Sequence, residues 1–426
     1  MALLKTKQRL WALVDETKDE ITSLVSELVK RPSLNPPVDA KAITDYILSY
    51  FDKHGIRHKV VGARPDRPII IAEVRGDAKP GTAAPSCEKT LCFNGHTDVV
   101  GPGDISMWEF DPHCGTVTDK QVLGRGTSDM LSGVAIDMHI LRLMVEHKLQ
   151  FDGRVIMHLV PDEETGSEMG TRWLIENHYA DGIDGVIVGE PTSWCNIEIG
   201  SKGGMWATIR SFGTQAHGSV ASFVGDNAIA KMAAFLGRLE ELRAMAAKVS
   251  EDQREVVRFS KDIAQRILGA PGVGEAIDHV TYSISTLKSG MPGKAECEYC
   301  EANVHLRIPN GVSAQELKDS FLEIGRQCGV ECEVTRIMEA ACTAVHEPIV
   351  QMALDNANFL YGKKVVPVYQ WASSDGLYYR RLGIPTVQHG PANIGGIHGY
   401  NETADIEEII LVAKTHFGIL ADFFGM

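Results

Sequence analysis

The chain has 426 residues, 44% of them hydrophobic and 23% charged, enough for two or three domains with buried cores and too apolar for a disordered chain. Its 42 Lys and Arg against 56 Asp and Glu give a formal charge of −14, and no segment interleaves clustered basic residues with aromatics; nucleic acid and anionic membrane surfaces are therefore excluded as expected partners. No apolar run reaches the ~20 residues of a membrane span, residues 1–18 do not read as a secretory signal, and nine scattered cysteines argue for reduced thiols, so a cytoplasmic protein is expected.

In chain order, short β-branched runs at 68–74, 90–94, 154–160 and 185–188 read as buried strands. Between the second and third, Val134, Met138, Leu141 and Val145 share one face of a helix. Alternating strand and helix signals predict an α/β layer with a largely parallel sheet. After Lys202-Gly203-Gly204 the pattern becomes strand (205–212), helix (226–243), strand (279–287) and strand (296–307), which predicts a compact α+β insertion. The charged stretch 248–274 reads as extra helix and loop on its surface. Beyond Pro309, helices are expected at 313–326, 348–360 and 405–417, with short strands at 333–335 and 385–388. The expected organisation is thus a catalytic domain in two parts, 1–200 and 311–426, interrupted by a smaller domain at 201–310. Cys297, Cys300, Cys328 and Cys332 have the look of a zinc ribbon, but Cys297 and Cys300 fall within a predicted strand at 295–307, where residues three apart point to opposite faces; no zinc ribbon is expected.

The chemistry is expected at polar residues that end apolar strands, because ligands of open α/β sheets bind there. His96 and Asp98 follow the strand 90–94, and a carboxylate two residues from a histidine can fix its tautomer for metal binding. Asp129 ends the glycine-rich turn Gly124-Arg125-Gly126-Thr127-Ser128, where a plain helix N-cap is the competing reading. Asp162, Glu163 and Glu164 crowd the end of 154–160; adjacent carboxylates repel, so a cation or a proton-transfer role is favoured. Glu190 ends 185–188, and His398 lies in a glycine-rich loop before the last helix. Two imidazoles and several carboxylates make the ligand set of a dinuclear zinc, manganese or cobalt site.

The motifs Gly95-His96-Thr97-Asp98, Gly124 to Asp129, Asp162-Glu163-Glu164-Thr165-Gly166-Ser167, Gly189-Glu190-Pro191-Thr192 and His398-Gly399-Tyr400-Asn401-Glu402 resemble, in order and spacing, the co-catalytic metallopeptidase family of succinyl-diaminopimelate desuccinylase, acetylornithine deacetylase, aminoacylase and the glutamate carboxypeptidases. The resemblance implies a catalytic α/β domain, its mostly parallel mixed sheet lying between helices, and an inserted lid domain that often mediates dimerisation. It implies that Asp129 bridges two divalent metals, zinc first and manganese or cobalt as alternatives. His96 and Glu190 would complete one metal site, and Glu164 and His398 the other. Glu163 would be the general base and Asp98 the partner of His96. His217 resembles the lid histidine that stabilises the tetrahedral oxyanion in the partner subunit's site, where a turn residue is the bland alternative. Arg307 resembles the arginine that grips a substrate carboxylate.

The chain departs from the family at Ser289-Gly290-Met291-Pro292, where an Asn-x-x-Pro is usual, at Leu377 after Ser373-Ser374-Asp375-Gly376, and in Met130-Leu131-Ser132-Gly133 after Asp129. Ser289 and Asp375 are expected at the substrate's edge. The expected function is hydrolysis of an amide C–N bond in a small carboxylate-bearing molecule, an N-acyl amino acid first. Alternatives are a dipeptidase or carboxypeptidase of the same family, a hydrolase of an aryl amine or catabolic amide, and a non-catalytic metal-binding protein. A homodimer or larger homo-oligomer through the lid is expected.

Overall fold

The computed structural model describes residues 2–36, 39–76, 89–192, 195–290 and 297–426. They form two compact units. One comprises Met1–Ile199, Thr343–Val368 and Ser374–Met426, the other Gly200–Cys342 and Tyr369–Ser373.

The larger unit is built on a mixed sheet. Its strands run in the spatial order Arg57–Val61, Ile69–Arg75, Arg154–Val160, Thr90–His96, Gly185–Val188, Thr386–Gln388 and Asn196–Ser201. Arg154–Val160, Thr90–His96, Gly185–Val188 and Thr386–Gln388 are mutually parallel. Arg57–Val61, Ile69–Arg75 and Asn196–Ser201 are joined to this set through antiparallel pairings. Those strands are buried on both faces, which is why Thr90–His96 carries no alternation. Helix Ser132–Glu146 buries Val134, Met138 and Leu141 completely, and helix Ile406–Phe424 packs beside it. A small antiparallel ribbon of Thr403–Asp405, Gln121–Leu123 and Thr116–Val117 stands apart from the main sheet. It brings the chain just after His398 alongside the chain just before Asp129, with Thr403 paired to Leu123.

The smaller unit is an antiparallel sheet in the order Thr281–Ser289, Tyr299–Ile308, Gly203–Phe212, Glu331–Met338. Met205, Ala207, Ile209, Val304, Leu306 and Ile308 alternate onto one face and share a core with Met232, Phe235, Leu317 and Phe321 of helices Ala228–Gly237 and Ala314–Cys328. The helix expected at 226–243 is interrupted at Arg238 and continues as Leu239–Arg243. The stretch 248–274 contains the helix Arg254–Leu268.

The expected boundary at 310 falls too early. Helix Ala314–Cys328 and strand Glu331–Met338 belong to the smaller unit, because Glu331–Met338 pairs with Gly203–Phe212 and the helix covers that sheet's apolar face. The unit therefore extends to Cys342. The strand expected from 295 starts at Tyr299; residues 291–296, with Met291 and Pro292, lie outside the described residues. Cys297 precedes that strand, and both Cys297 and Cys300 are buried in the smaller unit's core, with Cys328 and Cys332 packed against it.

Candidate metal centre

Three parallel strands deliver the centre's side chains from their carboxyl ends. Thr90–His96 ends in His96, Arg154–Val160 leads into the turn Glu163–Thr165, and Gly185–Val188 leads to Glu190. Asp129 arrives from the turn before helix Ser132–Glu146. That helix can come close because Gly133 lies against Gly189, the neighbour of Glu190. A Cβ at position 133 would collide with the Gly189 carbonyl oxygen.

These elements bring His96, Asp129, Glu163, Glu164, Glu190 and His398 together. His96 Nε2 lies 3.0 Å from Asp129 Oδ1 and 3.7 Å from Glu190 Oε1. On the other side of Asp129, His398 Nε2 lies 3.3 Å from Oδ2 and 3.0 Å from Glu164 Oε2. The two oxygens of Asp129 thus face different imidazoles. Ligand atoms of His96, Asp129 and Glu164 lie within 4.8 Å of one another, as do those of His96, Glu163 and Glu190. The His96 end is closed, whereas the His398 side chain is 53% exposed and opens the centre to solvent.

The tautomer of His96 follows from its surroundings. Its Nδ1–H donates to the backbone carbonyl of Asp98 at 2.8 Å, which leaves Nε2 as the nitrogen that faces Asp129 and Glu190. The Asp98 carboxylate is farther from the ring, at 3.5 Å, and serves mainly the neighbouring turn. Its oxygens accept from the backbone N–H groups of Glu163 and Glu164, both at 3.2 Å, and from Asn35 Nδ2 at 2.9 Å. Asp98 therefore orients both acidic side chains through their backbone.

Burial and mutual repulsion work against ionising the cluster's carboxylates together. Burial, then the neighbouring Glu190, pushes Glu163 well above the usual carboxylate range. Burial and the Asp129 charge push Glu190 well above it too, and raise Glu164. Asp129 goes the other way. Burial works upward on it, but hydrogen bonds from His398 and His96 outweigh burial and hold it ionised. Hydrogen bonds to Asp129 and Glu164 push His398 up to about 10. The donor set of imidazole nitrogens and carboxylate oxygens fits zinc, manganese or cobalt.

A buried ion pair fixes the two loops that carry Asp129 and His398. Glu402 Oε2 accepts from Arg125 Nη1 at 2.6 Å and from the Gly126 amide at 3.1 Å, while Oε1 accepts from the amides of Ser128 and Asp129 at 2.9 and 3.1 Å. Arg125 Nη2 donates in turn to the carbonyl of Gly399, next to His398, at 2.6 Å. Glu402 lies inside a motif quoted above, but its role is invisible there because most of its partners are backbone amides. Asn35 lies 63 residues before Asp98, and no local pattern marks it.

Of the remaining expected site residues, Asp375 is buried in the larger unit and accepts from Ser167 Oγ at 2.5 Å. Burial raises it to about 6, and its charge adds to the upward shifts of Glu163 and Glu190. Leu377 is fully buried core. Asp162 turns from the cluster to accept from the Met169 amide at 2.6 Å. His217, Ser289 and Arg307 belong to the smaller unit. His217 is exposed, with Nδ1 2.7 Å from Ser219 Oγ. The Ser289 hydroxyl donates to the Tyr299 carbonyl at 2.9 Å, and the Arg307 guanidinium lies 5.7 Å from the centre of the Trp206 ring.

Residues 92–422 match the family model described as peptidase family M20/M25/M40. The chain is 25% identical to an N-formyl-4-amino-5-aminomethyl-2-methylpyrimidine deformylase of Halalkalibacterium halodurans, over 97% of each chain. It is 29% identical to a probable succinyl-diaminopimelate desuccinylase of Staphylococcus aureus, over 58% of this chain and 56% of that protein. In fold it is similar to the M20 family metallo-carboxypeptidase Sso-CP2 from Sulfolobus solfataricus, with a TM-score of 0.78 at 19% identity, covering 96% of this chain and all of that one. Because the family model spans the motifs and most of the chain, the protein belongs to peptidase family M20/M25/M40.

Proposed function

We propose that the protein hydrolyses the amide C–N bond of a small carboxylate-bearing molecule, an N-acyl amino acid in the first instance. Two divalent cations, zinc first and manganese or cobalt as alternatives, would be held by His96, Asp129 and Glu190 and by Asp129, Glu164 and His398. The observation that carries this reading is the way both oxygens of Asp129 face different imidazoles, with Glu163 beside them. A binding protein would have no use for that extra half-buried carboxylate. When bound, the cations polarise the scissile carbonyl and acidify a water. Glu163 takes the water's proton on a carboxylate oxygen and returns it to the leaving nitrogen, the usual shuttle of a carboxylate beside a nucleophilic water. Asp98 keeps the Glu163 turn and the His96 ring in register. Arg307 would grip the substrate carboxylate and Asp375 would be a further substrate contact, whereas Ser289 pairs with Cys300, at the other end of the strand from Arg307, and one small molecule does not reach both.

A second reading is favoured by the likeness to the pyrimidine deformylase over nearly the whole chain: an acyl amide of a heteroaromatic amine. One assay separates the two. Metal-loaded protein is offered N-acetyl, N-succinyl and N-formyl amino acids, dipeptides, and N-formyl arylmethylamines, and free amine is measured. Release from the amino-acid derivatives supports the first reading, and release from the arylmethylamines alone replaces it with the second. No release from any of them refutes both.

The homodimer would form through the smaller unit. Its edge strand Thr281–Ser289 leaves Ile284 and Leu287 exposed, and an antiparallel pairing of this strand with its copy obeys two-fold symmetry. Across that dimer His217 would donate to the tetrahedral oxyanion in the neighbour's site. His217→Ala is then expected to depress kcat by ~10²–10³-fold with metal content unchanged. Mixing His217→Ala with Glu163→Gln subunits should restore activity, because one site of the heterodimer has both residues. Verified heterodimers that stay inactive would remove the trans-acting histidine. Among the described residues no helix is long and apolar enough to cross a membrane. The free cysteines support a reducing compartment, the cytoplasm.

A further inference from the structure

Next to Glu190 the chain is pinched between two glycines. A Cβ at Gly133 and one at Gly390 would strike the same atom, the Gly189 carbonyl oxygen, at 2.1 and 2.2 Å, and the latter would also come within 2.6 Å of the Glu190 carbonyl oxygen. Hydrogen bonds lace the Gly390 side in place. The His389 N–H donates to the Val188 carbonyl at 3.0 Å, and the Thr192 N–H donates to the Gly390 carbonyl at 3.2 Å. The peptide that leads into Glu190 therefore has helix Ser132–Glu146 on one side and the segment after strand Thr386–Gln388 on the other.

One buried pair joins those two sides. Asp137 follows Gly133 by four residues, one turn along the same helix face. Its Oδ1 lies 2.8 Å from Nδ1 of His416 in helix Ile406–Phe424, and Nε2–H of that ring donates to the His389 backbone carbonyl, also at 2.8 Å. Both side chains are fully buried. The Phe93 ring lies within 19° of parallel to the imidazole, which restrains the ring's plane. Stability alone is a poor reason for such a pair. Asp137 Oδ2 has no hydrogen-bond partner among the described residues, and burial pushes the carboxyl above its usual range in spite of His416. An apolar pair would fill the same space at lower desolvation cost. It would, however, offer no donor to the His389 carbonyl, and so would not fix how far this segment stands from the helix.

We propose that Asp137 and His416 are positioning residues for Glu190: they hold the His389–Gly390 peptide against the Gly189–Glu190 peptide, and so set the ion affinity of the His96–Glu190 site without altering that of the Glu164–His398 site. This rests on the reading of Glu190 as a metal ligand. The second site has a tie of its own, the Arg125–Glu402 pair between the loops of Asp129 and His398. The two ion sites are thus braced separately.

The test is calorimetric titration of the metal-free full chain with zinc. His398→Ala leaves the His96–Glu190 site as reporter, and Glu190→Ala leaves the Glu164–His398 site. Into each background goes one of two amides. An asparagine nitrogen reaches about as far as Nδ1 of the ring, so His416→Asn keeps the contact with Asp137 and loses the donor to His389. A glutamine nitrogen reaches about as far as Nε2, so His416→Gln keeps that donor. In the His398→Ala background, His416→Asn should weaken zinc about 10–100-fold, the usual effect of losing a group that supports a ligand, and His416→Gln should bind at least ~3-fold tighter than His416→Asn. Asp137→Ala should weaken zinc there too, while Asp137→Asn, whose amide can donate to Nδ1, should stay within about 2-fold. In the Glu190→Ala background every one of these changes should stay within about 2-fold. Equal weakening in both backgrounds marks a general loosening of the fold and overturns the proposal. So does unchanged affinity of His416→Asn in the first background, or equal weakening by the two amides. Circular dichroism of each metal-free variant checks folding; if His416→Asn does not fold, Asp137→Ala against Asp137→Asn decides by the same criteria. If Glu190→Ala by itself still binds two zinc ions as tightly as wild type, the reading of Glu190 fails and the proposal with it, and the amine-release assay judges the hydrolase reading separately.

Discussion

Glu163→Gln is expected to retain its metals and lose hydrolysis by ~10²–10⁴-fold or more, the usual consequence of removing a general base. The carboxamide keeps the shape of the side chain and leaves the backbone N–H to Asp98 intact, so the turn that also carries Glu164 stays in place. A carboxamide does not accept a proton at working pH. It also removes one of several mutually repelling carboxylates, so the fold should be no less stable. Metal analysis beside steady-state rates is the measurement, and a variant with near-wild-type turnover would sink the assignment of the base.

Asp129→Ala should be more damaging to metal binding and at least as damaging to rate. Its two oxygens serve opposite sides of the centre, and its loss leaves His96 and Glu190 on one side and His398 and Glu164 on the other. Loss of a partner that merely supports a ligand typically weakens metal binding about 10–100-fold, and loss of a ligand common to both ions should exceed that. The expected result is a protein that folds but holds neither metal tightly. If titration found two tight metals in Asp129→Ala, the bridge would be wrong while Glu163 kept its role.

The two variants probe the part of the molecule most legible in the sequence. His96, Asp129, Glu163, Glu164, Glu190 and His398 could be picked out because each interrupts an apolar strand end or a glycine-rich turn with a group that water would otherwise solvate. What stayed hidden was hidden for physical reasons. Helix Ala314–Cys328 and strand Glu331–Met338 have the same periodicity whichever sheet they join, and the pairing of Glu333 with Thr208 links residues more than a hundred positions apart. Asn35 is a short polar residue in a loop until Asp98 is brought to it. The position of Arg336 depends on a single-residue bulge, and hydrophobic alternation read straight through it would have aimed Thr335 at Trp206 instead.

The buried Glu402 carries a consequence for which ions the centre accepts. With Arg125 it fastens the Asp129 loop to the His398 loop through backbone groups, so the peptide frames behind these two candidate ligands are joined before any cation arrives. An incoming ion then finds its donors already at a set spacing and loses little free energy in ordering them. The same stiffness works against ions of the wrong radius. A large, hard cation such as calcium asks for six to eight oxygens at 2.3–2.6 Å in an adaptable cage, and loops clamped to each other cannot spread to supply them. Preorganisation of this kind discriminates by size, beyond what the chemical identity of the donors can do.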